Sequence, residues 1–229
     1  MKLLMVTRAD ERIQEMAELT HPILRSYAEK WDADFFVLSE NFDSQGWGTV
    51  HYRLMRLYDL LDEYDRILNI DTDVIINKNC PNLFEIVPYD EVGVIFEDVG
   101  TRKLDRIGRI QSVQLEWGII GWKKNYINSG VCLVSKPHRE IFKRYNGKLW
   151  EKHGYADVHF GYQIHRLKLK IFEMDWHFNH MSIFSESWNN RASRFDSHII
   201  HYAGNASFPD KGKRTKAMLI KDDIKRIYG

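Results

Sequence analysis

Two aspartates separated by one residue, Asp71 and Asp73, follow a mostly apolar run at residues 66–70. A carboxylate enclosed in an apolar interior is costly unless a cation or a hydrogen-bonding loop satisfies it. We interpret this pair as a cation site. Hard carboxylate oxygens suit Mg²⁺ or Mn²⁺, and these ions often complete their coordination with substrate phosphates. The pattern therefore predicts a divalent metal that holds a phosphorylated substrate.

The elements around the pair predict an α/β fold in which both aspartates lie at one edge of a sheet. Apolar runs predict strands and helix-spaced apolar residues predict helices. The predicted strands cover residues 1–6, 35–38 and 66–70, and the predicted helices cover residues 10–30, where Pro22 could interrupt, and 52–61. This alternation indicates a mostly parallel central sheet flanked by helices. Such sheets bind ligands beyond the carboxyl ends of their strands, where Asp71 and Asp73 lie.

The rest of the chain continues the same pattern less regularly. Further elements are strands over residues 92–96, 130–135 and 197–202, and helices over 137–152 and 156–167. Residues 98–125 contain four glycines, and their apolar residues do not recur with the spacing of a helix or a strand, which indicates mainly a loop or insertion. A length of 229 residues suits one well-buried domain, which we expect to span residues 1–229.

Composition excludes several classes of partner. The 33 Lys and Arg residues balance 32 Asp and Glu residues, so no overall field recruits nucleic acid. The apolar run at the N-terminus is too short for a signal peptide, and no segment has the length of a membrane span. Cys80 and Cys132 show no metal-ligand spacing, which suits a reducing compartment, and we expect a cytoplasmic protein.

Three functions can use such a pair of aspartates. In a haloacid-dehalogenase-type phosphatase Asp71 would be the nucleophile, but its strand normally lies near the N-terminus and is followed by an acidic pair that this chain offers only weakly, at Glu97-Asp98. In a sugar-nucleotide transferase the pair holds a metal that bridges the diphosphate. The third possible function is that of a non-catalytic module that binds a sugar nucleotide or a glycan. A second pair, Asp32 and Asp34, precedes its strand and is interpreted as structural.

The order of several short segments favours the transferase. The chain resembles the GT-A, Rossmann-like glycosyltransferases of family 8, which include glycogenin and bacterial lipopolysaccharide galactosyltransferases. The resemblance runs from the first strand to about Gly204. Large viruses as well as cells encode compact domains of this kind. The segments that carry it are Tyr52-Arg53-Leu54, Tyr64-Asp65-Arg66-Ile67-Leu68, Asp71-Thr72-Asp73-Val74, Tyr126-Ile127-Asn128-Ser129-Gly130-Val131, Asp157, Phe178-Asn179 and His201-Tyr202-Ala203-Gly204.

The resemblance implies a metal held by Asp71, Asp73 and His201, with Asp71 also near the ribose of the donor. The imidazole nitrogen is a borderline donor, which favours Mn²⁺, with Mg²⁺ as the alternative. The family's donor is a sugar nucleotide, here expected to be a UDP-sugar. Its activity is transfer of a hexose to a hydroxyl of a glycan, glycolipid or glycoprotein.

The resemblance also implies which residues contact the donor. The implied donor contacts are Thr7 and Asp10 for the nucleobase and ribose, Arg53 for the phosphate or sugar, Asn128, Ser129 and Asp157 for the sugar, and Gly204 near the third metal ligand. Among these, Asn128 and Asp157 are the candidate catalytic residues. Four of these residues also have an alternative interpretation without a function: Arg53 could be a solvated surface charge, Asn128 and Ser129 could form a turn, and Asp157 could cap a helix.

The chain departs from the family pattern at two places. Ser207 stands where the family commonly has a lysine, so Lys211 or Lys213 is expected to supply the charge at the leaving diphosphate. Val158 follows Asp157 where the family often has glutamine. The family retains anomeric configuration, but an inverting displacement with Asp157 as base stays open.

Two further features concern the acceptor side. Sugars stack on aromatic rings, so Trp117, Trp122 or Trp188 could line the acceptor site, although core packing is favoured for each. The basic C-terminal segment, residues 208–229, is expected to form a helix that closes over the donor site. Contact with an anionic acceptor or a peripheral contact with lipid headgroups is the alternative.

Overall fold

The computed structural model describes residues 1–41, 43–205, 208 and 214–229. The strands are β1 (Leu3–Arg8), β2 (Ala33–Leu38), β3 (Arg66–Ile70), β4 (Val74–Ile76), β5 (Glu91–Phe96), β6 (Ile127–Ser135), β7 (Lys170–Glu173) and β8 (Ile199–His201). The α-helices are α1 (Gln14–Lys30), α2 (Leu57–Glu63), α3 (Leu83–Ile86), α4 (Lys103–Trp117), α5 (Tyr155–Arg166) and α6 (Lys216–Tyr228). Within this part of the chain, no helix combines the length and the apolarity needed to cross a bilayer.

A six-stranded sheet with the order β2-β1-β3-β6-β5-β7 forms the centre of the fold. β1 is parallel to both β2 and β3, and β5 is parallel to β7. β6 runs antiparallel to its neighbours β3 and β5. Three of these five pairings are parallel, which confirms the predicted α/β class with a mostly parallel sheet.

The middle strands are buried on both faces. Every residue of β3 and of β6 is buried, because one large apolar cluster covers each face of the sheet. Strands enclosed in this way need continuous apolar runs instead of alternation. For this reason the mostly apolar residues 66–70 could be recognised as a strand from sequence. The polar residues Asp71 and Asp73 that follow β3 contrast with it and indicate a functional site.

A small second sheet brings the C-terminal part of the chain back to the end of β3. β4 and β8 pair antiparallel, with Val74 opposite His201. α6 packs on this sheet through Leu219 and Ile220, in a cluster that includes Ile200. The predicted C-terminal helix is therefore confirmed for Lys216–Tyr228.

Two predicted segments differ from the structure. The helix expected over residues 137–152 is only a 3-10 turn, Lys136–Phe142, because the chain becomes extended at Lys143 (φ −105°, ψ 152°); the positive φ values of Asn146 and Gly147, 48° and 77°, then keep the helix from resuming. Residues 98–125, expected to be mainly a loop, contain the 15-residue helix α4. Pro22 lies inside α1 and does not end it.

Candidate active site

The second sheet places His201 beside the two aspartates. Asp71 follows β3 directly, and its backbone N–H donates to Gly130 O on the adjacent β6 (2.8 Å). Asp73 precedes β4, and its backbone carbonyl accepts from Tyr202 N (2.9 Å). Because β4 pairs with β8, this backbone contact fixes His201 next to Asp73 although 128 positions separate them in sequence.

The three side chains converge on one point. His201 Nε2 lies 3.3 Å from Asp73 Oδ1 and 3.7 Å from Asp71 Oδ2. One ligand atom from each residue lies within 4.8 Å of the others. Ligands held at about 2.1 Å from one ion stand roughly 3–4 Å apart, so the three atoms fit a shared divalent ion.

The other carboxylate oxygens are held by basic side chains. Arg8 Nη2 donates to Asp71 Oδ1, and Lys216 Nζ donates to Asp73 Oδ2 at 2.7 Å. Each carboxylate therefore presents one oxygen to a cationic side chain and the other toward His201. An ion could bind to the inner oxygens without displacing Arg8 or Lys216.

A buried amide orients the imidazole. Asn179 is fully buried, and its Oδ1 lies 2.7 Å from His201 Nδ1. The amide oxygen can only accept, so Nδ1 carries the proton and Nε2 faces the carboxylates. Asn179 Nδ2 in turn donates to Asn128 Oδ1 at 3.0 Å. A hydrogen-bonded partner of this kind is typical of a metal-ligating histidine.

The charges of the cluster are strongly coupled. Burial disfavours the imidazolium of His201, but the carboxylates of Asp73 and Asp71 outweigh it and raise the pKa of His201. Burial likewise disfavours ionisation of Asp73, yet His201 and Lys216 hold the pKa of Asp73 well below its usual range. Asp73 is therefore a carboxylate throughout the physiological range, as a metal ligand must be.

Gly130 leaves the space that an ion would need. A Cβ built on Gly130 would lie 2.3 Å from His201 Cε1 and 3.0 Å from Asp71 Oδ2. Any side chain there would enter the gap between the imidazole and the carboxylate. The donor set and this gap together fit a divalent metal.

Two cavities meet at the cluster. The larger, of about 540 Å³, is lined by Asn128 and Asp157, which are expected to contact a donor sugar, and we call it the sugar-side cavity. The smaller, of about 400 Å³, is lined by Asp10, which is expected near the nucleobase and ribose, and we call it the nucleoside-side cavity. The residues that line both are Arg8, His51, Asp71, Asp73 and Lys216. Asp71 and Asp73 thus lie at the junction, with His201 beside them in the larger cavity, where a ligand extending through both cavities would pass.

The sugar-side cavity contains the residues expected to contact the sugar. Asn128, Ser129, Asp157 and Gly204 all line it. Asp157 Oδ1 accepts hydrogen bonds from Ser129 N at 2.9 Å and from Ser129 Oγ at 2.5 Å. Burial and the nearby carboxylate of Glu97 raise the pKa of Asp157 to about 6, against the opposing effect of Ser129.

Asp10 and Arg53 both line the nucleoside-side cavity. Arg53 Nη1 lies 3.0 Å from Asp10 Oδ2, and Arg53 Nε donates to Glu40 O at 2.9 Å. Thr7 lines neither cavity, because it points into the core and its hydroxyl lies 3.0 Å from that of Thr72. The next residue, Arg8, points to the opposite face of β1 and lines both cavities.

Sequence reasoning gave no role in this site to four contributors: Arg8 and Lys216, which it did not single out, and Asn179 and Glu97, which it named only in the segment Phe178-Asn179 and in the acidic pair Glu97-Asp98. The expected phosphate lysines, Lys211 and Lys213, lie outside the described residues, as does Ser207. Lys216, three residues past Lys213, contacts Asp73 instead. Lys216 belongs to the basic C-terminal segment, which indicated that a lysine of this segment contacts the site. The sequence of the segment does not identify which lysine does so.

The tryptophans serve packing rather than this site. Trp122 is buried in an apolar cluster, and Trp117 packs against that cluster. Trp188 lies over Gly100, where a Cβ would come within 2.0 Å of the indole nitrogen. None of the three lines the sugar-side cavity among the residues that the structure describes.

A family model described as Glycosyl transferase family 8 matches residues 4–207. A search of curated proteins gives no significant match. Among solved structures, the chain is similar to a glycosyltransferase involved in glycosylation of the major capsid of PBCV-1, with 13% identity, 99% of this chain and 100% of that chain covered, and a TM-score of 0.62.

Two other similar structures have comparable scores. The galactosyltransferase LgtC is 14% identical, with 98% and 96% of the two chains covered and a TM-score of 0.56. Mouse xyloside xylosyltransferase 1 is 14% identical, with 91% and 99% covered and a TM-score of 0.54. At these identities the likeness shows a shared GT-A glycosyltransferase fold.

Proposed function

Because this chain belongs to glycosyl transferase family 8, and is therefore a nucleotide-sugar glycosyltransferase, we propose that it is a Mn²⁺-dependent hexosyltransferase. Its donor would be a UDP-sugar and its acceptor a hydroxyl of a glycan, glycolipid or glycoprotein. The observation that carries this proposal is the convergence of Asp71, Asp73 and His201 at the junction of two cavities. The same convergence favours transfer over the phosphatase alternative, which has no use for His201.

We propose that the donor lies across the junction, with its nucleoside beside Asp10 and Arg53 and its sugar beside Asn128 and Asp157. The bound metal supplies positive charge that stabilises the leaving diphosphate. Arg8 and Lys216 line both cavities and add two fixed cationic groups at the same place. Lys211, which we expected in this role, lies outside the described residues, and Lys216 supplies a cationic group at this place.

Manganese is preferred to magnesium in this proposal because one of the three ligands is an imidazole. Mg²⁺ prefers oxygen ligands, whereas nitrogen donors suit later divalent metals. Asn179 holds the His201 imidazole with Nε2 toward the carboxylates, so no rearrangement of the ring is needed for binding.

Asp157 and Asn128 are proposed to orient the donor sugar. The hydrogen bonds from Ser129 fix one carboxylate oxygen of Asp157, which leaves the other to accept from a sugar hydroxyl. Asn128 is fixed between Glu97 and Asn179. Rigidly held groups of this kind lower the barrier by positioning the anomeric carbon against the acceptor.

The raised pKa of Asp157 predicts a pH dependence. If the carboxylate is the active form, turnover falls as the pH drops through about 6. Rising pH has the opposite effect on the free energy of unfolding, which decreases as Asp157 ionises. The native state holds this proton more tightly than the unfolded chain, so the stability that it contributes is fully present below about pH 4, is lost as the pH rises to about 6, and stays lost above that. We expect Asp157→Asn to melt at or above the wild-type temperature at pH 8 and yet to lose most transfer activity.

The measurement is turnover from pH 5 to 8 together with thermal melting at pH 5 and 8. Ser129→Ala is a useful comparison, because it removes one hydrogen bond to the carboxylate and keeps the charge. A variant Asp157→Asn with wild-type turnover at pH 8 would show that the carboxylate has no catalytic role.

The overall proposal is tested by release of UDP from a panel of UDP-hexoses. We expect cleavage with Mn²⁺, slower cleavage with Mg²⁺, none with excess EDTA, and recovery when Mn²⁺ is added back. The Mn²⁺-dependent rate should be lost in His201→Ala. Tight donor binding without any turnover across the panel and a broad set of glycan acceptors would instead favour the non-catalytic binding module.

We also propose that residues 1–229 act as one domain in which the C-terminal segment closes the donor site. α6 begins at Lys216, which lines both cavities, and this supports the closing role. A reducing compartment such as the cytoplasm is supported by Cys80 and Cys132, which are both buried and unpaired.

A further inference from the structure

Three arginines face the sugar-side cavity from one wall. Arg102, Arg106 and Arg109 follow the spacing i, i+4 and i+7 at the start of α4, which places them on one helix face. All three line the cavity. The proposed functions of the metal and the donor involve none of them.

Their positive charges are unequally compensated. Arg106 is buried and forms ion pairs with Glu97 and Asp105. Arg109 Nε lies 3.0 Å from the same carboxylate oxygen of Asp105, Oδ2. Arg102 is exposed, and although its backbone N–H donates to Val99 O at 3.1 Å, its guanidinium forms no ion pair or hydrogen bond with any residue in the described ranges. The carboxylates of Glu97 and Asp105 therefore pair with Arg106 and Arg109. The guanidinium of Arg102 has no carboxylate partner among the described residues and lies at the exposed rim of the cavity.

The turn that carries Arg102 is held in place. Thr101 donates from its backbone N (3.3 Å) and from its hydroxyl (2.8 Å) to the carboxylate of Glu186. Trp188 Nε1 donates to the same carboxylate at 3.2 Å. Gly100 has φ of 52° and lies under the Trp188 ring, so only glycine fits there. These contacts fix the backbone from which Arg102 reaches the cavity.

We propose that the acceptor of this transferase carries a negatively charged group, a carboxylate or a phosphate, which Arg102 and Arg109 bind. This inference rests on the proposed function, since it assigns the sugar-side cavity to sugar substrates. The guanidinium fork matches both oxyanions with paired charge-assisted hydrogen bonds. Arg102 lies at the exposed rim, where an acceptor enters, whereas Arg8 and Lys216 occupy the junction assigned to the donor diphosphate.

The test is a ligand-observed NMR titration of glucose, glucuronate and glucose 6-phosphate against the protein with UDP and the diamagnetic ion Mg²⁺ present. We expect at least one of the two anionic sugars to bind about tenfold or more tighter than glucose, with an advantage that weakens in high salt. Arg102→Gln and Arg109→Gln should remove that advantage. Lys103→Gln is the matched control, because Lys103 is an exposed neighbouring cation that does not line the cavity.

Equal binding of the neutral and anionic sugars, or binding of none, would overturn the proposal. If Lys103→Gln reduces the tighter binding of the anionic sugars as much as Arg102→Gln does, the proposal is also overturned. The tighter binding would then reflect the general surface charge. The choice between glucuronate and glucose 6-phosphate identifies the anion.

A second arm separates acceptor from donor. Cleavage of UDP-glucose and UDP-glucuronate is compared in wild type and Arg102→Gln. If the variant selectively slows UDP-glucuronate, the anion belongs to the donor and the acceptor assignment is wrong. Absence of cleavage of every sugar nucleotide would contradict the proposed function, whereas the sugar titration reports anion binding independently of turnover.

Discussion

Asp73→Asn is expected to reduce Mn²⁺-dependent turnover by about 1,000-fold or more. The substitution keeps the shape of the side chain but removes the charge that faces His201 Nε2 at 3.3 Å. A bound metal contributes several kcal/mol to the stabilisation of a leaving diphosphate, and about 4 kcal/mol corresponds to 1,000-fold in rate. The measurement is UDP release at saturating Mn²⁺ and donor, together with melting temperature with and without Mn²⁺. In the variant, the rise in melting temperature that Mn²⁺ causes by mass action should disappear.

The chain supplies a matched control in its second Asp-x-Asp pair. Asp32 is exposed and has φ of 52°, a conformation that asparagine adopts as easily as aspartate. Asp32→Asn should therefore leave both turnover and the Mn²⁺ response at wild-type values. Wild-type turnover in Asp73→Asn would contradict the metal site, and a loss in both variants would point to an effect of net charge.

Asp71 and Asp73 of the possible metal site were predictable because of the strand that precedes them; the Asp-x-Asp spacing alone is a weak signal. Residues 66–70 are apolar enough to show a strand buried on both faces, and the two aspartates follow at its end. Their convergence with His201 needed the resemblance to family 8, because no local pattern says that the strand ending at His201 pairs with Val74. The structure confirms that these three residues meet.

Helix α4 was not predictable because its buried face includes polar residues. Its buried positions are Arg106, Ile110, Val113 and Gln114, so the apolar period that identifies a helix is broken twice. Arg106 is buried because Glu97, on another element, compensates its charge. Glu97 lies only nine positions before Arg106, but nothing in the sequence shows that the two side chains meet.

The site lysine was missed for a similar reason. Lys216 reaches Asp73 because α6 packs against β4 and β8, and that docking depends on contacts made far along the helix. Sequence composition identified a basic segment but could not rank its lysines. The orientation of α6 therefore decides which cation enters the site, which makes the contacts that hold α6 important for function as well as stability.

Asp223→Ala is expected to cause the largest loss of stability among substitutions outside the cavities. Asp223 is 4% exposed and joins α6 to the segment around β8. It accepts from Arg194 Nε at 2.8 Å, from Arg194 Nη2 at 3.0 Å and from the Tyr202 hydroxyl at 2.6 Å. Removing one partner of a buried ion pair costs about 3–5 kcal/mol, and here both the Arg194 guanidinium and the Tyr202 hydroxyl lose the carboxylate that accepts from them. For a chain of this size that lowers the melting temperature by roughly 10 °C.

The neighbouring residue provides the control for this prediction. Asp222 is exposed and pairs with Arg214 at 3.0 Å on the surface, so Asp222→Ala should cost about 0.5 kcal/mol or less. Asp223→Asn should fall between the two alanine variants, because it keeps one oxygen acceptor but loses the charge. Urea unfolding of the three variants gives the order directly from their midpoints. Equal midpoints for Asp223→Ala and Asp222→Ala would show that the buried pair does not hold α6, and Lys216 would then need another anchor.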